Sequence, residues 1–188
     1  MVKVKVSCAH QEGEFIPGIT VLEAITQLCP DQAKEALVAE INGEVKDLTT
    51  KINNDCQIKP LTWNDEAGRR ALRHSAAHVM AQAVKQLFPE AKLAIGPAIE
   101  DGFYYDFAVD NPFTPEDLEK ISTCMEQIID QDLAFIRQEM ARDEARAYFV
   151  AKGEQYKVEL IDDLPPDATI SLYQQGDFVD LCAGPHIP

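Results

Sequence analysis

The first sixty residues place apolar and polar side chains in short alternating runs, a pattern typical of a small sheet packed on one helix. Val2, Val4 and Val6 alternate with lysines and a serine, which gives one strand a single apolar face. A second short strand is predicted near Phe15 and Ile16. These runs are too short for membrane spans and too regular for loops.

A helix and a hairpin complete this first region. Thr20 and Glu23 form a capping-box pattern that begins a helix, and Pro30 ends it. The pair Asn42-Gly43 between two apolar runs predicts a hairpin, because these residues tolerate the positive φ of a type I′ turn. With a last strand over residues 57–63, the order ββαβββ predicts a β-grasp, or ubiquitin-like, fold for residues 1–62.

Residues 63–188 mix helical and alternating patterns, so this region is predicted to be α+β. Helices are predicted over residues 65–88, from Thr114 onward, and over residues 143–152; hairpins are predicted over residues 93–107 and 169–182. The pattern of residues 156–163 fits no single type of element. The sequence therefore predicts two consecutive domains, 1–62 and 63–188.

Composition narrows the class of protein. The 188 residues are 46% hydrophobic, which suits a folded core, and no run reaches the ~18 apolar residues that cross a bilayer. Five scattered cysteines predict reduced thiols in the cytoplasm, and no role at a membrane is expected. The formal net charge of −15 argues against nonspecific nucleic-acid binding, which normally depends on clustered lysine and arginine.

Candidate chemistry is concentrated in two i,i+4 pairs. His74 and His78 lie one turn apart on the longest predicted helix, and Cys182 and His186 follow the last predicted hairpin. One thiol and three imidazoles are suitable ligands for zinc, and such a centre hydrolyses bonds if one coordination position is left to water. The glutamate of the HExxH peptidase motif is missing, which disfavours peptidase chemistry.

Longer motifs around these pairs carry a resemblance to a known family. The segments HSAAHVMAQAVKQLFPEAKLAIGPAIEDGFYYDF, GEQYKVELI and DFVDLCAGPHIP resemble the editing domain of bacterial-type threonyl-tRNA synthetases, which is related to that of alanyl-tRNA synthetases. The segments PGITVLEAI and EINGEVKDL resemble the TGS domain that opens the same enzymes. One departure is SCAHQEGE, which replaces the usual Pro-Asp-Gly turn of the first hairpin.

This resemblance implies a deacylase that removes serine from threonine tRNA. Serine lacks one methyl group of threonine, and a methyl group in a pocket discriminates by only about 1 to 3 kcal/mol. A second hydrolytic site restores fidelity. The resemblance implies that His74 and Lys157 activate water and stabilise charge, and that Asp180 binds the seryl amine or orients the other two. His78, Cys182 and His186 would complete the pocket, with Tyr104 as a wall against the adenosine or the amino acid.

The resemblance also sets expectations for cofactors and partners. We expect no metal to be required for editing, although the equivalent residues hold zinc in alanyl editing domains and His74, His78, Cys182 and His186 form the candidate zinc quartet. ATP and zinc would belong to the aminoacylation domain, which this chain lacks. The expected partners are threonine tRNA, the remaining synthetase domains and, for the complete enzyme, a second copy in a homodimer. The editing domain is expected to continue beyond Pro188.

Two hypotheses from other classes of protein remain open. The same quartet would also suit a zinc-binding or ligand-binding module without catalysis. Alternatively, the two domains would be a regulatory pair, in which the β-grasp domain binds a partner and the histidines are structural.

Overall fold

A computed structural model describes residues 2–188 and contains both helices and several small sheets, which confirms the α+β prediction. Contacts divide the chain into two units. The first contains the residues up to Ser75 together with Gly184–Pro188, and the second contains Ala76–Ala183. The boundary predicted between residues 62 and 63 stays a prediction. Among residues 2–188, no helix is long and apolar enough to span a membrane.

The first unit is built around a five-stranded mixed sheet. Its elements are β1 (Val4–Cys8), β2 (Gln11–Phe15), β3 (Ile19–Thr20), α1 (Val21–Leu28), α2 (Pro30–Ala33), β4 (Val38–Ile41), β5 (Glu44–Lys46), β6 (Lys51–Ile52) and β7 (Cys56–Leu61). The strand order is β2-β1-β7-β4-β5, with β1 and β7 parallel, while β3 and β6 form a separate short ladder. This arrangement agrees with the predicted order of strands and helix.

The local signals of the first unit act as expected. Thr20 and Glu23 form the predicted capping box, in which each side chain accepts a hydrogen bond from the backbone of the other. Asn42 and Gly43 have φ values of 50° and 91°, as the tight turn between β4 and β5 requires. Pro30 follows α1 as predicted, but it also begins α2, because proline suits the first turn of a helix.

The longest helix, α3 (Glu66–Leu87), confirms the prediction for residues 65–88 to within one residue at each end. Its buried face contains several small residues, which let neighbouring elements approach closely: Ala71, Ser75, Ala77, Ala81 and Ala83. Before its first turn, the Asp65 carboxylate accepts a hydrogen bond of 2.8 Å from Thr62 N. This helix carries His74 and His78 one turn apart.

The second unit contains the remaining elements. They are β8 (Lys92–Leu93), β9 (Ala98–Ile99), β10 (Gly102–Phe103), β11 (Phe107–Ala108), α4 (Pro115–Asp130), β12 (Ile136–Met140), α5 (Arg142–Ala151), α6 (Gln155–Asp163), β13 (Ile170–Gln175) and β14 (Phe178–Leu181). The hairpin predicted over residues 93–107 consists of two short ladders, β9 with β10 and β8 with β11. The ambiguous residues 156–163 belong to α6.

Strand β12 was not predicted, and its environment explains why. It pairs with β13 at the edge of a three-stranded sheet, and four of its five residues are exposed. An exposed edge strand needs no alternation of apolar and polar residues. Behind this sheet, Phe149 and Ile161 from α5 and α6 pack on Leu172 of β13, which holds α6 in place.

Candidate functional site

A buried cluster of three polar side chains lies in the second unit, formed by Lys157, Asp180 and Tyr105. Lys157 comes from the first turn of α6, Asp180 from β14, and Tyr105 from the segment between β10 and β11. Lys157 Nζ lies 2.8 Å from Asp180 Oδ1 and 3.1 Å from the Tyr105 hydroxyl, which donates a 2.8 Å hydrogen bond to Asp180 Oδ2. Three elements that are far apart in sequence thus form one cluster, in which the Lys157–Asp180 ion pair is hydrogen-bonded to Tyr105.

Burial of the charged groups in this cluster has a large desolvation cost. Lys157 is 2% exposed and Asp180 is 1% exposed. A charge in such surroundings is tolerated only when it is paired and hydrogen-bonded, because desolvation of each ion costs several kcal/mol. Leu181 N donates a further bond of 2.8 Å to Asp180 Oδ1, so the carboxylate accepts three hydrogen bonds. The opposite charges of Lys157 and Asp180, together with these hydrogen bonds, therefore hold the cluster in place.

The phenol of Tyr105 is held in its neutral form. Burial raises the pKa of Tyr105 well above its ordinary range, and the negative charge of Asp180 raises it further. At physiological pH the hydroxyl therefore stays a donor to Asp180. Its oxygen accepts from Lys157, which fixes the orientation of the ammonium group.

The raised pKa of Tyr105 predicts a loss of stability at high pH. The unfolded chain releases the phenolic proton near pH 10, whereas the folded chain retains it, so the free energy of unfolding falls as the pH rises above about 10. One retained proton contributes a slope of about 1.4 kcal/mol per pH unit. Urea unfolding between pH 8 and 11 should show this slope in the wild type and a smaller one in Tyr105→Phe. Equal slopes in the two proteins would contradict the prediction.

Tyr104, which the sequence predicts as a wall of the pocket, is more exposed to solvent than its neighbour Tyr105. Tyr104 is 44% exposed, while Tyr105 is 9% exposed and belongs to the buried cluster. Adjacent residues of an extended segment point to opposite sides, so only one residue of the Tyr-Tyr pair can face inward. The sequence does not distinguish the two, and Tyr105 was missed for this reason. The role of Tyr104 as a wall stays a prediction.

In the first unit, His74 lies beside His186. The two rings meet edge to face with centroids 4.6 Å apart, and the candidate ligand atoms of the two residues lie within 4.8 Å of each other. His186 is 1% exposed, and its Nδ1 lies 3.0 Å from the Ser75 hydroxyl. The predicted partners from the helix and the C-terminal motif are thus brought together.

In the second unit, His78 lies beside Cys182. Their candidate ligand atoms are also within 4.8 Å of each other, and His78 is 4% exposed. The ring of His78 packs edge to face on Phe135, with centroids 6.2 Å apart. Cys182 continues the line of β14, since its backbone N and O bond to the carbonyl and hydroxyl of Ser171. Both pairs therefore begin from the same helix, α3, which carries one histidine of each.

The donor atoms of the two pairs are those that zinc prefers. In the first unit, His74 and His186 each offer an imidazole nitrogen; in the second, His78 offers an imidazole nitrogen and Cys182 its sulfur, and within each pair the atoms lie within 4.8 Å of each other. Zinc bonds of 2.0 to 2.3 Å in a tetrahedron place ligand atoms roughly 3.5 Å apart, so small side-chain shifts would suffice. The side chains of each pair are therefore of the chemical type that holds the ion.

A cavity of about 490 Å³ in the second unit reaches Asp180. Its wall includes a partly buried ion pair, in which Lys85 Nζ lies 2.7 Å from Glu154 Oε1. It also includes Gln82, whose buried Oε1 has no hydrogen-bond partner within residues 2–188. Cavities of this volume accommodate small ligands. Of the buried cluster, Asp180 therefore borders a space of the size that a substrate group needs.

Comparisons with known proteins agree on one group of relatives. The chain is 55% identical over 175 residues to the threonine--tRNA ligase of Desulforamulus reducens, which is 93% of the chain and 28% of that protein. It is 50% identical over 175 residues to that of Symbiobacterium thermophilum, covering 93% and 27%. Over all 188 residues it is 49% identical to that of Syntrophomonas wolfei, covering 29% of that protein. No protein-family model matches the chain.

These identities indicate the class first: the chain is similar over nearly its whole length to part of the aminoacyl-tRNA ligases. Within that class it is homologous to the threonine--tRNA ligases, at about 50% identity over nearly its whole length. The chain spans only 27 to 29% of the length of these relatives. The predicted resemblance to threonyl-tRNA synthetases is thereby confirmed, whereas the assignment to editing and TGS domains stays a prediction.

Proposed function

We propose that this chain is the proofreading part of a threonyl-tRNA synthetase, and that it hydrolyses the ester of serine mischarged on threonine tRNA. One observation supports this most strongly: a buried cluster of lysine, aspartate and tyrosine, whose Asp180 borders a cavity, in a chain related to threonine--tRNA ligases. A buried, fully paired ion cluster contributes little to stability when compared with apolar packing, so its presence favours a chemical role.

The geometry suggests a division of roles in the reaction. A water molecule attacks the ester carbonyl, the bond to the ribose oxygen breaks, and that oxygen takes up a proton. We assign the first proton transfer to His74, because a neutral imidazole is an effective base near neutral pH. Lys157 has three N–H donors, of which Asp180 and Tyr105 accept two, and we assign the third to the oxygen where negative charge develops.

Asp180 fits an orienting role better than the binding of the seryl amine. Its two oxygens already accept from Lys157, Tyr105 and Leu181 N. An additional cation would have to compete with these bonds in a buried space. His78, Cys182 and His186 would then line the path of the water and the leaving ribose, and a cysteine nucleophile is unnecessary for an activated ester.

The wider assignments rest on the relatives and are proposals. We assign residues 1–62 to the TGS type of β-grasp domain and residues 63–188 to the editing type. The complete enzyme would join threonine to its tRNA with ATP, in the cytoplasm and as a homodimer. The experiment that tests the editing function compares the release of serine and of threonine from the two charged forms of threonine tRNA. Rapid release of serine alone supports the proposal, and equal slow rates would overturn it.

Chelation provides a separate prediction about metal. Dialysis against a strong chelator should leave the rate of serine release unchanged, because Lys157 and His74 supply the charge and the base without an ion. Metal content by mass spectrometry should be measured on the same samples. Activity that is lost on dialysis and restored by Zn²⁺ would contradict this prediction. Stoichiometric zinc without any serine release would instead favour the non-catalytic metal-binding module.

A further inference from the structure

Hydrogen bonds to neighbouring residues hold His186 in position within the first unit. The backbone N of His186 donates a 2.6 Å hydrogen bond to Oδ1 of Asp47, from the segment between β5 and β6. Asp47 is 7% exposed, so water competes little for this carboxylate. A charge-assisted bond to a buried carboxylate is stronger than one between neutral groups. Asp47 therefore holds the backbone at the position from which the imidazole projects.

The next residue fixes the same segment by apolar contact. Ile187 packs against the cluster of Val38, Leu61 and Ala71, which belong to β4, β7 and α3. Its backbone N donates a 3.1 Å hydrogen bond to the hydroxyl of Ser75. The segment after Gly184 is thus attached to the sheet of the first unit by both polar and apolar contacts.

Ser75 determines which nitrogen of His186 carries the proton. A serine hydroxyl has one proton to donate, and Ser75 Oγ lies 2.9 Å from the Ala71 carbonyl, which can only accept. The same oxygen accepts from Ile187 N and lies 3.0 Å from His186 Nδ1. Since the hydroxyl proton is used by Ala71, Nδ1 must supply the proton of the remaining bond. In neutral His186 the lone pair then resides on Nε2.

We infer that Asp47 and Ser75 are positioning residues of His186, which fix its place within the first unit and its Nδ1–H tautomer. Because Asp47 belongs to residues 1–62, this gives the TGS-like domain a role in positioning His186. The consequence for the rate rests on the proposed function, whereas the tautomer does not. An Nε2 lone pair held in a fixed direction can orient the attacking water or the leaving ribose.

Nitrogen NMR on the 188-residue chain tests the tautomer without any substrate. With chelator present and at a pH where the imidazole is neutral, His186 should show a protonated Nδ1 and an unprotonated Nε2. Ser75→Ala should shift the two nitrogen resonances toward those of a mixture of tautomers. Ser75→Thr, which retains the hydroxyl, should preserve the wild-type signature. A protonated Nε2 in the wild type would overturn the inference, because Ser75 would then donate to the ring.

Single-turnover kinetics test the positioning role. Asp47→Asn retains an acceptor of the same shape without the charge, and Asp47→Ala removes both. We expect serine release to fall about 10-fold to 100-fold in Asp47→Ala, less in Asp47→Asn, and through the maximal rate rather than the half-saturating tRNA concentration. The matched control is Asp31→Asn, an exposed acid of the same unit, which should keep the wild-type rate.

The outcomes separate the two proposals. If the wild-type chain releases no serine, the proposed function fails and the NMR result still decides the tautomer. If the wild type is active and Asp47→Ala matches Asp31→Asn while remaining folded, the positioning role is wrong. If Asp47→Ala loses both rate and melting temperature, Asp47→Asn shows whether the loss of rate is due to unfolding. A reduced maximal rate of Asp47→Asn at wild-type stability supports the inference, and a wild-type rate overturns it.

Discussion

Replacing Lys157 with methionine is expected to lower the free energy of unfolding by about 3 to 5 kcal/mol and to abolish serine release. The substitution keeps much of the apolar stem but removes the cation, so Asp180 is left as a buried charge without its ion-pair partner. Tyr105 donates only one hydrogen bond to that carboxylate, which cannot replace a cation. Urea unfolding and single-turnover hydrolysis measure the two effects.

Two further variants distinguish the loss of charge from general damage to α6. Asp162 lies on α6 with Lys157 and forms an exposed ion pair with Arg146 of α5. Asp162→Asn breaks this pair and should change neither stability nor rate appreciably. The double variant Lys157→Met with Asp180→Leu removes both buried charges, so it should recover much of the stability but none of the activity. An active Lys157→Met protein would show that the ammonium has no role in the reaction.

Gly96→Ala is expected to produce the second largest effect, through Tyr105. A Cβ atom at residue 96 would lie 2.1 Å from Cδ2 and 2.6 Å from Cε2 of the Tyr105 ring. The ring cannot simply move aside, because its hydroxyl is bonded to both Asp180 and Lys157. Overpacking of this kind costs about 1 to 3 kcal/mol, and displacement of the phenol should also reduce serine release by at least tenfold.

The matched control for this variant lies in the same hairpin region. Gly102 has no atom within 4 Å of an added Cβ, and its φ is not in the left-handed region. Gly102→Ala should therefore keep both stability and activity. If Gly96→Ala and Gly102→Ala behave alike in thermal unfolding and in hydrolysis, the contact between Gly96 and Tyr105 does not constrain the site.

The elements that were predicted well are those with strong local signals. Helix α3 follows from apolar spacing over six turns, α1 from its capping box, and the turn at Asn42 from backbone sterics. These signals depend on neighbours within a few residues. Strand β12 carries no such signal, because its pairing with β13 rather than a buried face holds it in place.

The site was predicted less completely, because its members meet through tertiary contacts. A single lysine is most often solvated, and only the fold reveals that Lys157 bonds to Tyr105 across 52 residues of sequence. Ser75 and Asp47 escaped notice because a serine inside a helix and an acid in a loop are common, and their partner His186 is 111 and 139 residues away. The resemblance identified Lys157 and Asp180, whereas composition and spacing identified only the histidines and Cys182.

The most direct test of the proposed editing site is the time course of serine release from threonine tRNA that is mischarged with serine, measured for the wild-type chain and for His74→Ala. His74 is half-buried beside His186 and is our candidate base, so its removal should reduce the rate at least 100-fold while circular dichroism and the melting temperature stay close to those of the wild type. Threonyl-tRNA should remain intact with both proteins. A folded His74→Ala protein that releases serine at the wild-type rate would contradict the assignment of this site.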